Sequence, residues 1–400
     1  MISRRLALSL VALCEVLAMA TWFSATAVLP ALQDRFGLDE GGGSWLTGAV
    51  QGGFVAGSLT SSALNVPDRF EPRLVIAGSA VGAGVANALL LVSGSAAAAL
   101  VFRFATGFLL AGVYPVGMKL LATHFQNARG LAIGTLVGAL AMGSAFPHLV
   151  RATLQVPAEG VVVAASVSAV LAAAVVLPVS QGQARAPAAA LDVGYMMRAL
   201  GDRPLRLAVF GYLGHMWELY ALWAWLPSFL LASAAAAGVR LAGSTAALIV
   251  FSAIGVAGLL GAIAGGYLAD RLGRTAVASG AMALSAFCCL ASTTIYGAPV
   301  PIVTALLLAW GATVIADSAQ FSAAASELAP QPYVGSALTL QTALGFLLTV
   351  VSIRAVPEVA QIVGWRYSLA ILAVGPALGI VAMLRLRVLP AATRMAQGRR

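Results

Sequence analysis

Charged side chains are scarce in this sequence. Only 9% of its 400 residues are Asp, Glu, Lys or Arg, and 60% are hydrophobic. A soluble domain carries roughly 25% charged residues, so this chain lacks the polar surface that water would require. The composition excludes an ordinary soluble protein and predicts a polytopic membrane protein.

Cysteine and basic clusters are also rare. The three cysteines, Cys14, Cys288 and Cys289, lie in apolar stretches, which predicts neither a disulfide framework nor a metal site. The net charge is +9, but no basic run carries interleaved aromatics, so we predict no nucleic-acid partner. No nucleophile–base pair or phosphate loop is visible, and we expect neither an enzyme nor a cofactor.

Long apolar runs are what the sequence has in abundance. A membrane span needs about 20 mostly apolar residues. Breaks at charges, prolines and glycine clusters predict twelve spans: 6–30, 44–65, 74–93, 97–122, 131–152, 160–180, 206–231, 243–268, 275–297, 300–325, 335–356 and 366–388. The first run is too long for the apolar part of a signal peptide, so we interpret it as a span.

Basic residues predict the orientation. With the N-terminus in the cytoplasm, 17 of the 23 Lys and Arg residues fall on the cytoplasmic side and five on the other; Arg103 belongs to neither side. This bias follows the positive-inside rule. We predict a multi-pass protein of the cytoplasmic (inner) membrane with both termini in the cytoplasm.

The two halves of the chain repeat each other. The segments "VPDRFEPRLVIAGSA", after span 2, and "LADRLGRTAVASGA", after span 8, lie about 200 residues apart. We predict an all-α protein with a six-helix bundle at 1–180, a cytoplasmic linker at 181–205 and a second bundle with a short basic tail at 206–400. Such duplication is typical of transporters with two pseudo-symmetric halves.

The segment "GGYLADRLGR" resembles the cytoplasmic loop motif of the major facilitator superfamily. Its matching residues are Gly266, Asp270, Arg271, Gly273 and Arg274. The resemblance implies the twelve-helix fold of that family and a gating role in which Asp270 caps or pairs with a neighbouring helix end. The less favoured alternative is that Arg271 and Arg274 serve only as positive-inside anchors.

The first copy of the motif departs from the family pattern. "LNVPDRFEPR" keeps Asp68, Arg69 and Arg73 but replaces both glycines. "LVFRFATGFLLAGVYP" resembles the family's fourth-span motif, which implies that Arg103 acts in proton coupling or in helix contacts. The antiporter motif of the fifth span is poorly matched.

Four charged residues fall well inside predicted spans: Glu15, Arg103, Glu218 and Asp317, on spans 1, 4, 7 and 10. Ionisable groups inside spans face the protein interior or a water-filled cavity. In the fold that the chain resembles, these four helices line the central cavity. Each acid could instead be a structural partner, and Glu218 could pair with His215 one turn earlier.

Helical spacing adds neighbours to these charges. The predicted substrate and proton site comprises Glu15, Trp22, Arg103, Tyr114, His215, Glu218, Trp225, Trp310, Asp317 and Gln320. Gln51 and Gln341 are weaker candidates. Burial favours the protonated form of a carboxyl group, so such acids can carry protons between conformations.

We therefore predict a proton-coupled transporter of a small organic solute that works by alternating access and needs no oligomer. We expect Glu218→Gln and Asp317→Asn each to impair coupled transport. The alternative is a porter of a small anion, such as nitrate, nitrite, cyanate or an organic anion, held by Arg103 and His215. Spans 2 and 8 contain no arginine, which disfavours nitrate.

Overall fold

Long helices make up nearly all of the protein. The structure, a computed structural model, describes residues 3–125, 129–154, 156–182, 192–330 and 333–400, and these contain helices and no strand. We label the long helices α1 Arg4–Met19, α2 Glu40–Ala63, α3 Pro72–Val92, α4 Ala96–Ala122, α5 Arg129–Leu154, α6 Ala158–Val176, α7 Arg203–Ala236, α8 Gly243–Leu272, α9 Arg274–Ile295, α10 Val300–Leu328, α11 Val334–Val363 and α12 Trp365–Arg387.

Ten of these helices, α3 to α12, are long and apolar enough to cross a membrane within the described part of the chain. The other two belong to the twelve-helix fold but differ from an ordinary span. The sequence of α2 is rich in glycine, serine and threonine, which lowers its hydropathy. The prediction of one continuous first span over 6–30 is wrong, because α1 ends at Met19 and the chain continues as short helices Ser24–Ala27 and Leu29–Phe36.

Helices pack into two groups of six. In the first group α1 packs on α5 and α6, α2 on α4, and α3 on α6; in the second α7 packs on α11 and α12, α8 on α10, and α9 on α10 and α12. The fold is therefore an all-α membrane fold of two six-helix bundles.

Close glycine contacts repeat between the bundles. A Cβ on Gly107 of α4 would overlap the carbonyl of Val50 in α2. Likewise, a Cβ on Gly311 of α10 would overlap the carbonyl of Ala253 in α8. Small residues let membrane helices approach closely, so the α2–α4 and α8–α10 pairs use the same packing device.

The bundles meet along a seam formed mainly by α5 with α8 and by α2 with α11. At the end of the molecule that carries Arg4, Ser62 Oγ of α2 lies 3.0 Å from Thr339 Oγ1 of α11. At the opposite end, Arg354 of α11 donates to the carbonyl of Gly41 at 2.6 Å. The α2–α11 seam is thus closed at both ends in this conformation.

The predicted linker contains a helix. Residues 183–191 lie outside the described part, but Val193–Ala199 is helical. Met196 and Ala199 pack with Ala337 and Leu340 of α11. The C-terminal part of the linker therefore packs against α11 of the second bundle.

Candidate functional site

The four charged side chains predicted inside spans are all buried. Glu15, Arg103, Glu218 and Asp317 are each at most 2% exposed. They do not form one cluster, because each has its own set of partners.

Arg103 fills the break in the first span. Its guanidinium donates to the carbonyl of Thr21 at 2.9 Å, to that of Trp22, and to that of Leu46 in α2 at 3.3 Å. Because α1 stops at Met19, carbonyls beyond it lack helical partners. Arg103 satisfies these carbonyls and links α4 to α2 and to the broken first span. This arrangement is the one expected if Arg103 acts in helix contacts rather than in proton coupling.

Asn87 of α3 extends this group. Its Oδ1 accepts from Arg103 at 2.8 Å and from Ser24 at 2.6 Å, and its Nδ2 donates to Ser166 of α6 at 2.9 Å. A single buried network therefore joins five helices of the first bundle. Sequence reasoning missed Asn87, although a lone amide in an apolar run could have signalled it.

Glu218 of α7 is held by three donors. Its Oε1 accepts from Ser285 Oγ at 2.6 Å, from Trp310 Nε1 at 2.6 Å and from Cys289 Sγ at 3.2 Å. Ser285 and Cys289 lie on α9 and Trp310 on α10. The expected pairing of Glu218 with His215 is not the arrangement found, because both side chains have other partners.

His215 pairs with Asp317 instead. Its Nδ1 lies 2.8 Å from Asp317 Oδ1, and both side chains are almost fully buried. Asp317 stands where α10 changes from its first helical segment, ending at Ala316, to its second, beginning at Ser318. The rings of Tyr212 and Phe321 pack against His215 at 6.2 Å and 5.5 Å.

Glu15 differs from the other two acids. It is 1% exposed, and its Oε1 has no hydrogen-bond partner among the described residues. Tyr114 of α4 and Tyr220 of α7 are its electrostatic neighbours, and Tyr212 of α7 is in turn a neighbour of Tyr114. Tyrosines of both bundles therefore lie within electrostatic range of Glu15.

Glu15 and Glu218 occupy corresponding positions in the two halves of the sequence. Glu15 and Trp22 lie seven residues apart, as do Glu218 and Trp225, and each residue lies 203 positions from its counterpart. Glu218 has three donors, whereas Glu15 Oε1 has no hydrogen-bond partner in the described residues.

An aromatic cluster crosses the seam beside Glu15. Trp22 packs on Phe54 of the first bundle at 4.9 Å, and on Tyr220 and Phe346 of the second at 5.7 Å and 5.6 Å. The Trp22 indole nitrogen is buried and has no acceptor within the described ranges. Sequence reasoning found Trp22 but missed its partners, because they come from distant helices.

Trp225 lies elsewhere. Its Nε1 donates to the carbonyl of Ile353 at 2.8 Å, and its ring packs on Trp365 at 5.9 Å. These contacts are within the second bundle, so the structure does not bring Trp225 together with Glu218 or Glu15.

The second-half loop motif lies against the first bundle. A Cβ on Gly130, the second residue of α5, would overlap the carboxylate of Asp270, and one on Gly266 would lie 2.5 Å from the Gly130 carbonyl. A negative charge is favoured at a helix N-terminus. Asp270 thus sits where it stabilises contact between α8 and α5.

Arg274 of this motif contacts three polar side chains. Its guanidinium contacts Asp270 at 3.0 Å, Gln320 at 3.2 Å and Glu327 at 3.2 Å. Gln320 therefore contacts the loop motif rather than the aromatic cluster. Arg271 lies over the ring of Tyr267 at 4.1 Å.

The tail also reaches the motif. A Cβ on Gly273, whose φ is +95°, would overlap the carbonyl of Arg399. Thr275 Oγ1 donates to the carbonyl of Arg400 at 2.8 Å, and the backbone N–H of Ala396 donates to Glu327 at 3.0 Å.

The first copy of the motif makes fewer contacts. Arg73 pairs with Glu71 at 2.7 Å and donates to the carbonyl of Leu177 at 3.2 Å. Arg69 ends the short helix Val66–Arg69 and is exposed. The side chain of Asp68 lies outside the described part, so its predicted role stays a prediction.

The described residues contain no group of three or more His, Cys, Asp or Glu side chains placed to hold a metal ion. All three cysteines are free and buried. The buried polar and aromatic side chains described above are carboxyl groups, amides, a guanidinium, an imidazole and aromatic rings.

Two six-helix bundles that meet at a buried polar seam define a membrane transporter with repeated halves. The family model described as Major Facilitator Superfamily matches residues 11–353. The chain belongs to this superfamily, and it is a transporter of small solutes rather than an enzyme.

Comparison with solved structures agrees on the fold. The crystal structure of the human organic anion transporter MFSD10 (TETRAN) aligns with a TM-score of 0.69 at 15% sequence identity, covering 96% of this chain and 100% of that chain. At this identity the likeness concerns the fold alone. No curated protein matches the chain significantly.

Proposed function

We propose that this protein is a proton-coupled transporter of a small organic solute, with Glu15 as the group that exchanges protons. The observation that carries the proposal is the buried Glu15 carboxyl, whose Oε1 has no hydrogen-bond partner in the described residues and which lies within electrostatic range of Tyr114 of one bundle and Tyr220 of the other. A buried carboxyl without a partner is costly when ionised. It therefore favours a proton when the seam is closed and releases it when water enters.

Alternating access supplies the opening and closing. We expect the predicted bundles at 1–180 and 206–400 to rock about the seam, with the linker between them in the cytoplasm. The closed contacts at Ser62–Thr339 and Arg354–Gly41 support this picture, because one of them must open to let water reach Glu15. Nothing in this mechanism requires a second copy of the chain.

The partners of the three buried acids support different roles for them. Glu218 has three donors and Asp317 has His215. These arrangements support positioning roles, whereas Glu15 is available to protons and solute. Substitution of Glu218 or Asp317 is still expected to reduce transport, but through the shape of the second bundle.

The anion alternative has less support. It assigns anion binding to Arg103 and His215, but Arg103 already donates to three carbonyls, and His215 faces Asp317. An anion would have to displace these partners. The MFSD10 structure is of an organic anion transporter. A structural likeness at 15% sequence identity does not assign the same substrate to this chain.

Flux measurements test the proposal. A thermal-shift screen of a metabolite and drug panel first identifies a bound solute, because binding to the native state raises stability. Proteoliposomes are then given that solute with an imposed pH gradient. We expect saturable flux that follows the gradient; flux independent of the gradient would exclude coupling.

Three matched variants assign the acid. Glu15→Gln should abolish the response to the pH gradient while solute exchange at equal pH persists. Glu218→Gln and Asp317→Asn should lower the rate but keep the response. A Glu15→Gln protein that still follows the gradient would remove Glu15 from the mechanism.

A further inference from the structure

The buried charges near the seam are not equally available to a solute. Arg103 and His215 are engaged by carbonyls and by Asp317, and Glu218 by three donors. Glu15 Oε1 and Asp317 Oδ1 both lack a hydrogen-bond partner in the described ranges, but Asp317 Oδ1 lies 2.8 Å from His215 Nδ1, whereas Glu15 forms no ion pair there. The charge that the interior offers to a solute is therefore negative.

Aromatic faces lie next to this charge. Tyr220 is an electrostatic neighbour of Glu15 and also stacks on Trp22 at 5.7 Å with an interplanar angle of 26°. Phe346 packs on Tyr220 at 5.2 Å and on Phe54 at 4.5 Å. Aromatic faces attract cations through the ring quadrupole and also bury apolar surface.

Unpaired amides lie on the helices that carry these rings. Gln51 precedes Phe54 by about one turn of α2, and Gln341 precedes Gly345 by one turn of α11, where a Cβ would overlap Tyr212. Both amides are fully buried, and neither their oxygens nor their nitrogens have partners in the described residues. Buried polar groups are normally hydrogen-bonded, so these four atoms point to a ligand or to water.

We propose that the seam binds an amphipathic organic cation, with Glu15 against its positive group, Trp22 and Tyr220 against its apolar body, and Gln51 and Gln341 hydrogen-bonding its polar substituents. This inference rests on the proposed function and names its substrate class. The binding residues come from both bundles, so the cation contacts all of them only when the halves are together.

Binding and protonation exclude each other at Glu15. When the cation binds, the carboxyl proton leaves to the water-filled side, and the carboxylate then balances the bound charge. The titratable groups within electrostatic range of Glu15 in the described residues are Cys14, Tyr114 and Tyr220. His148 on α5 and Lys119 on α4 lie on helices packed against α1. Exchange of one cation for one proton follows.

Two probes of the same shape and opposite charge test the charge of the site. Tetraphenylphosphonium and tetraphenylborate are each titrated into the purified full chain in detergent, followed by tryptophan fluorescence and thermal unfolding. We expect the phosphonium to bind and stabilise the protein, and to bind at least tenfold more tightly than the borate. Its binding should weaken as the pH falls and release a proton to the buffer.

Variants locate the site. Glu15→Gln should weaken phosphonium binding by about tenfold or more and remove its pH dependence, whereas Glu218→Gln should change it by less than about threefold. Should Glu15→Gln fail to fold, Tyr220→Leu provides the second test, with an expected loss of several-fold. Equal or tighter binding of the borate, or unchanged phosphonium binding in the folded Glu15→Gln or Tyr220→Leu protein, would overturn the proposal.

The outcome separates this inference from the proposed function. A neutral or anionic solute whose proton-coupled flux depends on Glu15, with no phosphonium binding, would support the function and overturn the substrate class. Phosphonium binding at Glu15 without any proton-coupled flux would support the site and overturn the coupling.

Discussion

At the scale of single residues, burial alone does not make a charge functional. Arg103 and Glu15 are both buried in the first bundle, yet their surroundings are opposite. Arg103 meets the carbonyls exposed by the break after Met19, and Asn87 adds a further acceptor. Glu15 meets no donor in the described residues at Oε1. The partners decide which side chain supports the fold and which can exchange with solvent and solute.

The Arg103 network makes a prediction about stability. Arg103→Lys should lower the free energy of unfolding by about 3 kcal/mol, because one ammonium cannot serve acceptors in the broken first span, α2 and α3, and a carbonyl left unsatisfied costs about 1–3 kcal/mol. Thermal unfolding of the detergent-solubilised protein measures the loss.

The matched control for Arg103 is the exposed Arg69, which lies in the first copy of the loop motif. Arg69→Lys should leave the unfolding temperature within about one degree, because surface substitutions rarely change stability by more than about 0.5 kcal/mol. Equal unfolding temperatures for Arg103→Lys and the unsubstituted chain would contradict the stabilising role of the Arg103 hydrogen bonds.

At the scale of elements, breaks in helices and close contacts between helices position the polar side chains. The interruption of the first span presents carbonyls to Arg103, and the change of segment in α10 falls at Asp317. The turn between α8 and α9 brings Asp270 to the start of α5 and Gly273 to the tail. Discontinuous membrane helices often mark transport sites, since their free ends supply polar groups.

The tail contact can be tested at Gly273. An alanine there must adopt φ near +95° and also overlaps the Arg399 carbonyl. Gly238 has a comparable φ of +72° but no atom within 4 Å of a Cβ, so Gly238→Ala reports the backbone strain alone. We expect Gly238→Ala to cost about 1 kcal/mol and Gly273→Ala clearly more.

Limited trypsin digestion gives an independent readout of the same contact. Gly273→Ala should release the tail and speed cleavage after Arg394, and Gly238→Ala should not. Equal stability and equal cleavage in the two variants would mean that the tail is not held by this contact.

At the scale of the whole molecule, the proposed alternating access requires the two bundles to separate at one end and then at the other. The α2–α11 seam is closed at both ends in the structure. At the two ends of the α2–α11 contact, the bundles are joined by single hydrogen bonds. The α5–α8 contact includes a close backbone approach between Gly266 and Gly130. The α2–α11 contact is therefore the side of the seam where opening breaks the weaker interactions.

Cross-linking tests that motion. Ser62→Cys with Thr339→Cys joins the bundles, because the two hydroxyl oxygens already lie 3.0 Å apart. Thr26→Cys with Thr47→Cys joins two segments within the first bundle, where the oxygens lie 2.8 Å apart. Oxidation should stop flux through the first pair by at least tenfold and leave the second nearly unchanged, and reductant should restore it. Full flux through the oxidised first pair would contradict rocking about this seam.

Composition, hydropathy and spacing were enough to predict an all-α membrane protein with two repeated bundles, because an apolar chain in lipid must satisfy its backbone within helices. They also singled out the buried acids, because a charge in an apolar run is visible in the sequence itself. The partners of those acids could not be predicted. Glu218 meets Ser285 and Trp310, and His215 meets Asp317, in both cases across long separations in the chain. Pairing is a property of packed helices in three dimensions, so only the tertiary structure decided that Arg103 supports the fold and that Glu15 is left free.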